Sequence, residues 1–248
     1  MLLAAFVDLG VDEEFLRSEL GKLGLAGWRM RFSRASSGPF EGLRAEVELA
    51  PRPVSGTISL SHARGHGVGH RSYREIAALI ERSGLSEAAK TRALAIYRKL
   101  AEAESEAHRE RVETVHFHEV GDTDSILDIV GAAICLESLA PDRVVASTIE
   151  LGGGHVRCRH GLLPVPAPAV AALVRGLPKR SGSLSTEATT PTGAAFLAAT
   201  VDEYSDDFDM LPNRIGRGIG HRDLGRPGAL ELRIGFPMPI ASNSTIGQ

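Results

Sequence analysis

The sequence predicts an α+β or mixed α/β fold, a single domain in which a mixed sheet is flanked by helices. Three observations carry this expectation. Apolar stripes at helical spacing are interspersed with short alternating runs, the mixture follows no strict βαβ alternation, and neither an internal repeat nor a low-complexity linker divides the chain. With 248 residues, 43% of them hydrophobic, there is enough apolar material for one sizeable core. The domain is expected over residues 1–235, followed by a flexible Pro/Ser/Asn tail over 236–248.

Residues 1–22 read as a helix broken near Gly10, with Leu2, Leu3, Phe6 and Leu9 on one stripe and Phe15, Leu16 and Leu20 on another. Asp12 reads as an N-cap with Glu14 in the first turn. Trp28 to Ser33 and Leu43 to Leu49 alternate as strands, joined by a turn over Ser36–Gly42. A Gly/His-rich loop, Ser61–Arg71, precedes helices from Ser72 to Ser83 and from Ser86 to about Arg111. His62, His66 and His70 sit four apart, but the glycines between them argue against a helix, and they read as loop residues. A strand over Val112–Val120 leads into a helix over Asp124–Leu139. Strands follow at Val144–Leu151 and His155–Cys158, then helices at Pro166–Gly176 and from Thr190 to about Glu203. Gly216–Asp223 reads as a Gly-spaced loop. It opens no helix, so it is not a dinucleotide fingerprint. A last strand spans Ala229–Ile234.

Charge excludes some partners. A net charge of -3 with both signs interspersed points to neither nucleic acid nor an acidic membrane surface. No apolar run approaches the roughly 20 residues needed to span a bilayer. The N-terminus lacks a basic segment and does not read as a signal peptide. Cys135 and Cys158 make a poor disulfide framework, which makes a cytoplasmic location the expectation. Cys135 lies in an apolar helix and reads as core. Cys158 follows a glycine loop and is the better thiolate candidate.

The chemistry concentrates between His116 and Asp128, which gathers His116, His118, Glu119, Asp122, Asp124 and Asp128. On a strand, His116 and His118 share one face, roughly 6–7 Å apart at the backbone, while Val115 and Phe117 face the core. Imidazole with carboxylate suits a divalent transition metal or proton transfer. An isolated His-X-His also reads as two surface histidines on an edge strand. Asp124 and Asp128 share a helix face. Asp124 reads alternatively as an N-cap, whereas Asp128 sits amid Ile126, Leu127, Ile129 and Val130, where a carboxylate is costly unless paired or metal-bound.

Two further segments are candidates for an anion. Gly152, Gly153 and Gly154 precede His155, Arg157, Cys158, Arg159 and His160; glycines let a backbone approach an anion and arginines neutralise one. A plain β-turn competes with that reading. Thr186–Gly193 places the hydroxyls of Thr189, Thr190 and Thr192 at a helix start, where capping accounts for one of them and an anion at the positive helix end for the rest.

The blocks Val115–Gly121 with Asp124–Ala133, His160-Gly161 with Pro164–Pro168, and Thr189–Ala195 together resemble the LarC family, in family order and over nearly the whole chain. The resemblance implies nickel insertion into a pyridinium bis-thiocarboxylate mononucleotide by a CTP-dependent cyclometallation, which makes the nickel-pincer cofactor of lactate racemase and related enzymes. It implies nickel, CTP with a divalent metal, and a small-molecule mononucleotide substrate. On that footing His116, His118 and Glu119 are the expected metal ligands, and Glu119, Asp124 and Asp128 the expected acid–base groups. Gly152, Gly153, Gly154, Arg157, His160, Thr189, Thr190 and Thr192 are the expected cofactor-binding residues. Family members begin with a further strand before the position of Met1 and end with a CTP-binding domain, so the chain resembles the N-terminal part of a nickel-inserting lyase. A separate C-terminal domain is then the expected partner. A non-catalytic nickel-binding or metallochaperone protein and a metal-dependent hydrolase remain alternatives. The oligomeric state is not legible.

Overall fold

The computed structural model describes residues 1–50, 71–117, 120–182, 184–222 and 225–238. In chain order the elements are α1 (Leu2–Asp8), α2 (Glu13–Gly21), β1 (Trp28–Ser37), β2 (Phe40–Leu49), β3 (Arg71–Ser72), α3 (Tyr73–Arg82), α4 (Glu87–His108), β4 (His116–Phe117) and α5 (Thr123–Leu139). There follow β5 (Val145–Ala146), β6 (Ile149–Glu150), β7 (His155–Cys158), β8 (Gly161–Pro164), α6 (Pro168–Leu173), β9 (Lys179–Arg180), α7 (Pro191–Thr200), β10 (Glu203–Tyr204), β11 (Met210–Gly218) and β12 (Leu230–Pro237). This is the mixed α+β architecture that the sequence predicts. The loop carrying His62, His66 and His70 lies outside the described residues, apart from its last residue, Arg71, which forms β3.

Local chemistry starts the helices where it was expected. Asp12 accepts a hydrogen bond from the Phe15 amide, and Ser72 and Glu75 form a reciprocal capping box at α3. Helix α5 is apolar on nearly every side because it is buried on nearly every side, from Ile126 to Leu136. Helices α1, α2, α4 and α7 pack around it. Gly131 lets α1 come close, since a Cβ there would lie 2.9 Å from Leu3. Tyr97, Leu100, Phe117, Ile126 and Leu127 sit in this core, and all are fully buried.

The main sheet has the order β1-β2-β11-β12. β1 and β2 form a hairpin whose ladder runs to Ser37↔Phe40, so the turn is shorter than the sequence suggests. Gly38, at φ 57°, supplies the left-handed residue that this tight turn needs. β11 joins β2 in parallel at Gly218↔Leu43 and β12 in antiparallel, with an irregularity between Pro212 and Arg214.

β11 corrects the sequence reading, which placed a loop at Gly216–Asp223 and no strand before it. The alternating glycines are a strand face pressed against α1. A Cβ on Gly216 would meet the Leu9 amide at 2.3 Å, and one on Gly218 the Met1 carbonyl at 2.0 Å. Two other strands are shorter than expected. Among the described residues, the Val112–Val120 strand is His116–Phe117, because the residues after α4 turn first, and it pairs with Arg71 and Ser72 of β3. Val144–Leu151 splits into β5 and β6 around Thr148, whose amide and hydroxyl both bond the Asp206 carboxylate.

Candidate functional site

His116 lies on β4, exposed, opposite Ser72, while Val115 and Phe117 on either side of it are fully buried. The alternation expected of this segment therefore holds at its described residues. His118 and Glu119 lie outside them. Phe117 packs against Tyr97, with ring centroids 5.8 Å apart, and the Tyr97 hydroxyl donates to the Val120 carbonyl at 3.3 Å. Arg71 donates to the Gly121 carbonyl at 2.9 Å. The last two of these contacts hold Val120 and Gly121 just before α5.

α5 then begins with Asp122 at its N-cap position, not Asp124, although the Asp122 side chain caps no amide. One Asp122 oxygen accepts from Arg159 at 2.9 Å; the other is buried and has no hydrogen-bond partner. An unpaired buried acceptor costs about 1–3 kcal/mol, and a cationic or N–H-bearing ligand would relieve it. Asp124 is exposed in the first turn, and Asp128 follows one turn later on the same face.

Asp128 is the electrostatic feature of this region. The side chain keeps accessible surface, yet surrounding protein pushes its carboxyl up to about 6. Desolvation is the main cause; the Met1 ammonium opposes it and Asp124 adds to it. Because Asp128 is exposed, solvent tempers that desolvation. Tyr97 feels Asp128 and Asp124 too, but its phenol rises well above the ordinary value chiefly through burial, so it stays a neutral donor.

The β7–β8 hairpin carries Arg157, Cys158, Arg159 and His160. Arg157 is exposed on β7, and Arg159 at the turn pairs with Asp122, bringing the hairpin tip over the start of α5. His160 stands against His108 at the end of α4, with ring centroids 5.1 Å apart.

Gly152, Gly153 and Gly154 face the 184–186 backbone. A Cβ at these three positions would lie 2.0, 2.8 and 2.4 Å from the Thr186, Leu184 and Ser185 carbonyls. The Gly152 amide donates to Glu150 and the Gly153 amide to the Thr186 carbonyl. Thr189 donates to the Glu150 carbonyl at 2.6 Å, and Thr190 caps α7 and bonds Thr192 at 3.0 Å. Glu187 bridges to Gly152 and is buried against Arg222 at 3.1 Å. Arg180 and Arg226 lie 3.5 and 3.9 Å from Glu150. The glycine and threonine segments thus form one cluster, with guanidinium groups at its rim.

The expected residues fall into two groups. Asp124 and Asp128 act on Tyr97 at the start of α5, where Arg159, next to His160, pairs with Asp122, while His116 is placed only by its position on β4. Gly152–Gly154 and Thr189–Thr192 gather around Glu150 and Glu187. Tyr97 was not singled out in the sequence, while Arg71, Glu187 and Arg222 lay inside segments that were (Ser61–Arg71, Thr186–Gly193 and Gly216–Asp223) without being assigned a role. Asp122 was visible as one of the clustered acids, and its separation from Asp124 needed the observed cap. Among the described residues, no three His, Cys, Asp or Glu side chains are placed to hold a metal ion. Cys135 is buried, with its thiol pushed up to about 12 by desolvation, as suits a core residue. No helix among the described residues is long and apolar enough to cross a membrane.

Comparison with known proteins matches residues 1–246 to the family described as nickel insertion protein. The chain is similar to the pyridinium-3,5-bisthiocarboxylic acid mononucleotide nickel insertion protein of Clostridium kluyveri, at 42% identity over 236 residues, covering 95% of this chain and 58% of the relative. Its counterpart in Akkermansia muciniphila is 44% identical over 235 residues, covering 94% and 56%. That of Geobacillus kaustophilus is 40% identical over 244 residues, covering 98% and 58%. The chain thus spans a little over half the length of these curated relatives. No solved structure matches it significantly.

Proposed function

The chain belongs to the nickel insertion protein family, and from that premise we propose that it inserts nickel into a pyridinium bis-thiocarboxylate mononucleotide, making a nickel-pincer cofactor. Nickel is a substrate in this reaction. Two thiocarboxylate sulfurs take the metal, a ring C–H bond breaks, a carbon–nickel bond forms, and the proton passes to a protein base. We assign His116, His118 and Glu119 to nickel, with Asp124 and Asp128 as proton acceptors beside Glu119. Gly152, Gly153, Gly154, Arg157, His160, Thr189, Thr190 and Thr192 are assigned to the mononucleotide. With the Gly152 and Gly153 amides engaged inside the chain, the side chains of Arg157, Thr190 and Thr192 are the groups in this set suited to its phosphate.

The observation that carries the reading is Asp128. A carboxyl reachable from water, on the same helix face as Asp124 and held near a pKa of about 6 by its surroundings, is poised as a base at neutral pH. The orphaned oxygen of Asp122 supports a cationic ligand at the start of the same helix.

The names of the relatives support the mononucleotide as substrate. CTP dependence, with a divalent metal accompanying CTP, is part of the proposal, as are a lyase-type cyclometallation and a cytoplasmic setting. We place CTP on a separate C-terminal domain, in keeping with the part of the relatives' length that this chain does not span. A nickel carrier that performs no chemistry alone is the second reading.

The test is product formation from mononucleotide, nickel and CTP, with and without a relative's C-terminal segment supplied as a separate chain. Product in the complete mixture, lost in H116A/H118A, supports insertion. Nickel binding with no product in any mixture supports the carrier.

A further inference from the structure

We propose that Arg71 reads one thiocarboxylate of the mononucleotide, its guanidinium taking the oxygen of the group whose sulfur goes to nickel. This assignment rests on the insertion reading above and deepens it, since it names the residue that recognises the ring end of the substrate.

Arg71 is one of the two residues of β3 and stands opposite Phe117 in the β3–β4 ladder, across from the residue between His116 and His118. A Cβ on Gly121 would lie 3.2 Å from the Arg71 amide and 3.0 Å from the Phe117 carbonyl. β3, β4 and the approach to α5 therefore touch at this residue. The Arg71 side chain is half-buried, and its Nη1 donates to the Gly121 carbonyl at 2.9 Å. That bond anchors the guanidinium one residue before the Asp122 cap of α5.

The charges around it are unbalanced at Arg71 itself. The buried Tyr97 phenol feels the Arg71 cation and the Asp128 and Asp124 carboxylates, so all three charges lie within electrostatic reach of one hydroxyl. Asp122, the acid next in the chain to Gly121, pairs with Arg159 instead. Among the described residues the Gly121 carbonyl is the one acceptor that the Arg71 guanidinium meets, and no carboxylate lies within ion-pair distance of it. A half-buried cation without a counter-charge is costly, and an anionic ligand relieves that cost.

The donors left over decide which anion. A guanidinium offers five N–H groups in one plane, and the bond to Gly121 uses one of them at Nη1. The edge formed by Nε and Nη2 remains, and such a fork matches a planar carboxylate-type group. A thiocarboxylate is a group of this kind with one hard end and one soft end. Nitrogen-bound protons prefer its oxygen, and a transition metal takes its sulfur. Holding the oxygen at Arg71 thus turns the sulfur away from the guanidinium and leaves it to the metal. Phosphate is the other anion on the substrate, and Arg157, Thr190 and Thr192 are the side chains suited to it.

The experiment measures binding of two probe mononucleotides to the chain by calorimetry. One is pyridinium-3,5-dicarboxylic acid mononucleotide, with oxygen in place of both sulfurs. The other is nicotinamide mononucleotide, which carries the same phosphate but a neutral amide on the ring. Wild type is expected to bind the dicarboxylate at least about ten-fold more tightly. R71Q is expected to weaken the dicarboxylate about ten- to a hundred-fold and to leave the amide within about two-fold, so that the preference collapses. R71K keeps the charge and a donor for Gly121 but not the fork, and it too is expected to lose most of the preference. Circular dichroism reads the fold of each variant, and R71K decides the matter if R71Q does not fold. Equal weakening of both probes overturns the proposal, because Arg71 then serves the phosphate or the fold. A preference that survives the substitutions overturns it as well. A wild type that binds neither probe overturns the mononucleotide reading itself, and this assignment with it, so the two failures are told apart.

Discussion

Asp128 ties sequence, stability and chemistry together at a single residue. Its folded pKa of about 6 lies above the ordinary carboxylate value, so between about pH 4 and 6 the folded state binds more protons than the unfolded chain. Stability therefore falls as pH rises through that window, and the penalty is fully present at neutral pH. D128N is expected to melt above the wild type at pH 7.5 and to lose the slope between pH 4 and 6. Thermal unfolding across pH measures both, and a variant that melts below the wild type at pH 7.5 would show that the charge is stabilised by a partner. In the complete insertion mixture the rate is expected to rise through about pH 6 and to drop about a hundred-fold or more in D128N. Asp128 was legible because an acid in an apolar helical run is conspicuous. Tyr97 was not, because an aromatic residue at helical spacing reads as core, and its packing against Phe117 gives no hint of the hydroxyl that bonds the Val120 carbonyl.

At the scale of elements, glycine decides two contacts. Gly218→Ala would drive a methyl group toward the Met1 carbonyl, with α1 already packed on the strand. A loss of about 1–3 kcal/mol is expected from such overpacking, measurable by urea unfolding, while Gly176→Ala, where no atom lies within 4 Å, isolates the cost of a positive φ. The hairpin tip behaves differently. Arg159 and Asp122 are partly exposed, and R159A is expected to cost under about 1 kcal/mol in stability. It should still slow insertion, because the hairpin loses its register over α5. Equal effects on melting and on rate would contradict this. The starts of α2, α3 and α7 were legible from Asp12, Ser72 and Thr190, whereas α5 is capped at Asp122 and not at Asp124. β11 was hidden because its inward face is glycine, so the period of two that marks a strand was missing. The Gly152–Gly154 run was ambiguous for a related reason: close approach to a backbone and close approach to a phosphate demand the same residue.

For the molecule as a whole, the four motif blocks read from the sequence pointed to the family, and the family match over residues 1–246 bears that out. They did not reveal how the blocks are assembled, because the contacts joining them are distant in sequence and made by unremarkable residues such as Glu150, Arg159 and Arg222. The sheet raises the same issue. Arg44 bonds the Gly220 carbonyl across 176 residues, and β2 meets β11 nowhere nearer in the chain. A chain terminated before Met210 is expected to aggregate, as light scattering would record, because one edge of β2 is left open. During synthesis at roughly 5–20 residues per second, that edge waits about ten to thirty seconds for its partner. The nascent β1–β2 hairpin is thus the part of this protein most in need of a chaperone on the ribosome.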